Sequence, residues 1–230
     1  MSVGMSTSVI GARNLAYWQP ERTIGVIHVA GGNMHAHLYD PSKTLSGVPF
    51  LAVNGEFEVF GPEGGIRGEY GRQTQWIMIR EQLLRLRSSD PNHLMSLVVR
   101  PGGGHGGWDS DLSILAATFI VKAMQRRVPK DAAQDGGPVR CVKLDPGSGW
   151  LADSDIDRPR YGPAPYEQYK GDRKETFWHF DGEMARAVER YHAEEHDKGR
   201  FILPDTSKKA PVPSDWPPKH ATGGAKRESE

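Results

Sequence analysis

A single cysteine, Cys141, is all the 230-residue chain contains, which excludes an intrachain disulfide framework and any multi-cysteine metal site. Excess charge of one sign is missing too: 29 basic side chains balance 29 acidic ones. A neutral chain sets up no long-range field to gather a polyanion or an anionic surface, which argues against nucleic acid as the main partner. Long hydrophobic runs are also absent. The longest apolar stretch, 112–124, falls well short of the roughly 20 residues a helix needs to cross a bilayer. No internal repeat is present.

What is present is an ordinary globular balance. With glycine counted and tyrosine left out, about 46% of the chain is apolar, inside the usual range. Glycine is over-represented at 27 residues and clusters in turns, as at 31–32, 64–65, 102–104, 106–107 and 136–137. Up to Pro129, short apolar and β-branched runs alternate with amphipathic stretches. That alternation predicts an α/β domain with a mostly parallel sheet of about four strands. The strands are expected at 2–5, 23–30, 49–54 and 94–100. The last three are apolar almost throughout, as in strands covered on both faces. Helices are expected at 7–18 and 74–86, and a third from an Asp109 or Ser110 cap to the basic end at Arg126 and Arg127.

The chemistry gathers at strand ends. Gly4-Met5-Ser6-Thr7-Ser8 joins the first strand directly to the first helix, where a nucleophile elbow belongs. So sharp a turn demands small flanking residues, and it aims the Thr7 N–H and the helix dipole at an oxyanion. Strand 49–54 runs into two carboxylates, Glu56 and Glu58. Strand 94–100 runs into a glycine-rich loop holding one histidine, His105. A serine needs a base, and the base needs an acid to fix its tautomer. The order Ser6, Glu58, His105 places all three types at one edge of the sheet, about 50 residues apart in each case.

These residues carry a resemblance. The text GMSTS, TIGVIHVAGG, VPFLAVNGEFE and VVRPGGGHGGW makes residues 1 to about 129 resemble the C-terminal half of an α/β-hydrolase, of the esterase or polyester-depolymerase kind. The resemblance implies a serine hydrolase acting on a small-molecule or polymer ester without a cofactor. It implies Ser6 as nucleophile, Glu58 as acid with Glu56 as its rival, His105 as base and Thr7 as an oxyanion donor. The family more often has Asp as the acid. It also has several strands before the elbow, one of which supports a second oxyanion donor, whereas only Met1–Met5 precede Ser6 here. A truncated first strand is then expected, with a bare sheet edge open to self-association, in a fragment, a chain completed by another, or a non-catalytic remnant.

Residues 130–204 read as an appendage and 205–230 as a disordered tail. In the appendage, 139–144 reads as a short strand, Asp145–Trp150 as a turn, and 181–196 as a helix. The aromatic residues Tyr161, Tyr166, Tyr169, Phe177, Trp178 and Phe180 read either as packing or as a cleft wall. His192 and His196 have zinc spacing but lack the glutamate that a zinc-protease motif places directly after its first histidine, so they read as a solvated face. His35, His37 and Asp40 read as a loop at the active-site edge rather than a metal site. The glycines at 102–104 precede no Lys-Ser/Thr, and so read as freedom for the His105 loop rather than a phosphate cradle.

Overall fold

Strands that are apolar on both faces need a covering layer on each side of the sheet, and the chain's helices supply both layers. The computed structural model describes residues 1–31, 44–56, 58, 75–101, 103–105, 108–131 and 138–193. Strands β1 (Ser2–Met5), β2 (Val26–Val29), β3 (Pro49–Gly55) and β4 (Leu94–Arg100) form one parallel sheet in the order β1-β2-β3-β4. The chain is thus of the α/β class. Alternate residues serve opposite faces. Ile27, Val29, Leu51, Val53 and Val98 pack under α3 (Ser110–Arg127) and α4 (Gly182–Ala193), while Val26, Phe50, Ala52, Leu97 and Val99 pack under α1 (Val9–Trp18) and α2 (Gln75–Ser89). Burying each of these side chains larger than alanine contributes about 1.5–3 kcal/mol.

Local chemistry sets the helix ends. A 3-10 turn, Ser6–Ser8, precedes α1, and the Ser8 hydroxyl closes it by accepting from the Met5 N–H at 2.8 Å and donating to the Met5 carbonyl at 2.7 Å. Pro20 follows the end of α1. Asp109 caps α3, its Oδ1 accepting from the Leu112 N–H at 2.7 Å. Strand β2 is shorter than the apolar run 23–30, and α2 extends three residues past the expected 86.

Beyond Pro129 the sequence expectation needs correction. Residues 139–144 form no strand: the Cys141, Val142 and Leu144 N–H groups go singly to Glu21, Arg127 and Gly47, on three different parts of the chain. A second sheet forms instead, antiparallel in the order β6-β5-β7, from β5 (Trp150–Asp153), β6 (Ala164–Pro165) and β7 (Thr176–His179). Tyr169, Phe177, Trp178 and Phe180 are buried, so these aromatics pack the C-terminal unit. Phe180 meets Phe119 of α3 edge-on at 5.4 Å between ring centroids, joining the unit to the parallel sheet's own core.

At the sheet pole opposite the strand carboxyl ends, the buried Arg127 guanidinium donates to the carbonyls of Gly47 and Pro20, while its own carbonyl accepts from Val142. Among the described residues no helix is long and apolar enough to cross a membrane. His35, His37, Asp40, His196 and the tail 205–230 lie outside the described residues.

Candidate active site

The carboxyl ends of β1, β3 and β4 carry Ser6, Glu58 and His105. Ser6 follows β1 directly and has φ of +55°, in the left-handed region that side chains with a Cβ adopt at a cost. Gly4 explains why the run into the turn is small: a Cβ there would lie 2.7 Å from the Ser8 carbonyl oxygen and from Val9 Cα. Thr7 is exposed at the start of the helical segment, where N–H groups have no intrahelical acceptor.

Glu58 is buried and held at both oxygens. Its Oε2 accepts from Asn54 Nδ2 at 3.1 Å and from the Gly55 N–H at 3.3 Å, and its Oε1 lies 2.7 Å from His105 Nδ1. The carboxylate on the histidine is therefore that of Glu58. Glu56 is also buried, and its N–H donates to the Arg100 carbonyl at 3.0 Å. The His105 side chain is 54% exposed, so with Nδ1 on Glu58, Nε2 is the nitrogen left for other chemistry.

The loops that bring acid and base together are closely packed. The Arg100 carbonyl accepts from both the Glu56 N–H and, at 3.1 Å, the Gly103 N–H, joining the chain after β3 to the chain after β4. A Cβ at Gly55 would lie 2.4 Å from the Gly104 carbonyl oxygen and 2.5 Å from that of Gly103. Gly103 and Gly104 thus serve the His105 loop. Among the described residues, no hydrogen bond joins Ser6 Oγ to the His105 ring: the structure brings Glu58 and His105 together and leaves Ser6 at the same sheet edge without that link.

Two site features were missed by sequence reasoning. Asn54, a lone polar residue ending an apolar run, orients the acid, and its buried position was the available signal. Arg100 anchors both loops through its main chain, which no side-chain pattern reports. His192 departs from its expected place on a solvated face. It is buried, and its Nε2 accepts the Val99 N–H at 3.1 Å, so it serves the backbone of β4. Among the described residues no three His, Cys, Asp or Glu side chains group as a metal site.

The class defined here is an α/β protein with a four-stranded parallel sheet and a bonded carboxylate–imidazole pair at its strand ends. No described protein family, no curated protein and no solved structure matches the chain.

Proposed function

We propose that the chain is a serine hydrolase of the α/β-hydrolase kind, cleaving carboxylic esters through Ser6, His105 and Glu58. The observation that carries this reading is the 2.7 Å bond from His105 Nδ1 to a buried carboxylate whose other oxygen is already fixed by Asn54 and Gly55. A buried acid held this way sets one imidazole tautomer and leaves Nε2 as base. The positive φ at Ser6 supports the elbow, since strain of this kind concentrates where a side chain must be presented.

In the proposed reaction, Ser6 Oγ attacks the ester carbonyl carbon and its proton passes to His105 Nε2. The Thr7 N–H and the start of the α1 segment receive the oxyanion. His105 returns the proton to the leaving alcohol. Water then attacks the acyl-serine, losing a proton to Nε2; His105 passes that proton to Ser6 Oγ as the Oγ–acyl bond breaks, which frees the carboxylic acid and restores the serine. Glu58 accepts the Nδ1–H bond throughout.

A second reading, a non-catalytic binding or scaffold protein that keeps the sheet, is favoured by the missing hydrogen bond between Ser6 and His105. Against it, catalytic hydrogen bonds often tighten only around substrate. A fluorophosphonate probe separates the two. The enzyme reading expects labelling that vanishes in Ser6→Ala and slows about 10²–10⁴-fold in Glu58→Gln. A folded sample that takes no label overturns it. Greater damage from Glu56→Gln than from Glu58→Gln would pass the acid role to Glu56.

A further inference from the structure

The segment that carries His105 leaves β4 at Arg100 and enters α3 at Asp109. These two residues are bonded to each other: Arg100 Nε donates to Asp109 Oδ2 at 2.9 Å. The same oxygen accepts from the Tyr191 hydroxyl at 2.8 Å, while Oδ1 caps α3 through the Leu112 N–H. One carboxylate therefore ties together the exit of the base loop, its re-entry into a helix, and the buried Tyr191 of α4 in the C-terminal unit. Trp108, the residue before Asp109, is held as well: its Nε1 donates to Ser113 Oγ at 2.7 Å, and that hydroxyl donates to the Asp109 carbonyl at 2.9 Å. At the other end, the Arg100 carbonyl holds Glu56 and Gly103.

We infer that Asp109 and Tyr191 are positioning residues for His105, so that the C-terminal unit, through α4, sets where the base stands against Glu58. The alternative is a simple staple between α3 and α4. Those helices already have one elsewhere: Lys122 Nζ of α3 reaches Asp181 Oδ2 and Glu183 Oε2, each at 2.7 Å, at the start of α4. The Tyr191–Asp109 bond lies instead at the mouth of the loop. Burial alone would push the Asp109 carboxyl up, but the Leu112 N–H, the Tyr191 hydroxyl and Arg100 together hold it below its ordinary range, as a charged anchor requires.

The inference rests on reading His105 as the base, yet its test does not need turnover. In the full chain labelled with ¹⁵N-histidine, the His105 ring signals are assigned by their loss in His105→Gln. Tyr191→Phe, which removes only the hydroxyl oxygen, is expected to shift the His105 ring resonances and to speed exchange of its Nδ1–H about tenfold. Arg100→Gln, which removes the other arm, is expected to do the same and stands in if Tyr191→Phe does not fold. Lys122→Met, which breaks only the staple, is expected to leave the His105 signals in place. Unchanged His105 signals in the folded Tyr191→Phe or Arg100→Gln chain overturn the inference, as does an equal change in Lys122→Met. Fluorophosphonate labelling of the unsubstituted chain is read separately: its absence sinks the hydrolase reading, while the ring signals still decide the positioning role.

Discussion

Serine at φ +55° holds a backbone conformation that costs a residue with a Cβ about 1–2 kcal/mol, and glycine almost nothing. Ser6→Ala keeps that strain and Ser6→Gly relieves it. Neither variant has a nucleophile, so the comparison isolates the backbone. Ser6→Gly is expected to be more stable than Ser6→Ala by about 1 kcal/mol in denaturant titration. An alanine variant as stable as the glycine one would show that the turn is unstrained. At this scale the Glu58–His105 pair was legible in the sequence, because each residue stands just past the end of an apolar strand. Asn54 stood out only as a lone polar residue at the end of an apolar run, and its role was not legible. Its role depends on Glu58 folding back across the end of β3 to within 3.1 Å, a relation between residues that no period encodes.

Between elements, the close approach of the β3 and β4 ends is the sensitive feature. Gly55→Ala would drive a methyl group into the backbone of Gly103 and Gly104, and backbone yields poorly. The expected result is displacement of the loop with loss of the Glu58–His105 bond, read as a fall of at least tenfold in fluorophosphonate labelling while circular dichroism stays that of a folded chain. Labelling at the unsubstituted rate would count against the packing described. Strands β3 and β4 were legible because nearly apolar stretches, 49–53 and 94–99, fit a doubly covered parallel sheet and little else. The segment 139–144 has strand-like composition, but Val139 and Val142 are exposed and, among the described residues, no strand offers it a ladder. Strands β5, β6 and β7, at four, two and four residues, are too short to display a period, and they form because they find one another across intervening loops.

For the whole molecule, pH acts most strongly through two buried histidines, although burial pushes His93 down as well. Burial first, and then the Arg13 charge, pushes His28 in β2 down to about 3; burial and Arg87 push His179 in β7 down to about 4. An unfolded histidine titrates near 6.5. In the interval the unfolded chain binds protons that the folded chain refuses. The stability these residues contribute is therefore complete above pH 6.5 and is lost as pH falls toward 4, at up to about 1.4 kcal/mol per unit for each. His179→Gln is expected to flatten the slope of Tm against pH across that window, and an unaltered slope would refute the assignment.

The outer edge of β1 pairs with no strand among the described residues, and Val3 and Met5 are 58% and 50% exposed. Their register partners Ile27 and Val29 are buried in the core, so they continue a buried face into solvent. Self-association through this edge is the expected consequence. Val3→Lys should lower light scattering at high protein concentration, and unchanged scattering would place the contact elsewhere. Composition alone led to the expectation of a sheet domain and an appendage; the core that the two stretches share was not legible, since Phe119 and Phe180 meet only once the chain has folded.

The far pole of the sheet behaves differently from the pole with the candidate site. There Arg127 receives the turn before β2, the loop before β3 and the connector after α3 on one residue, through Pro20, Gly47 and Val142. Three crossings of the chain share that anchor, so they cannot fray one at a time. Loss of Arg127 is expected to release them together, so that unfolding from that end is cooperative.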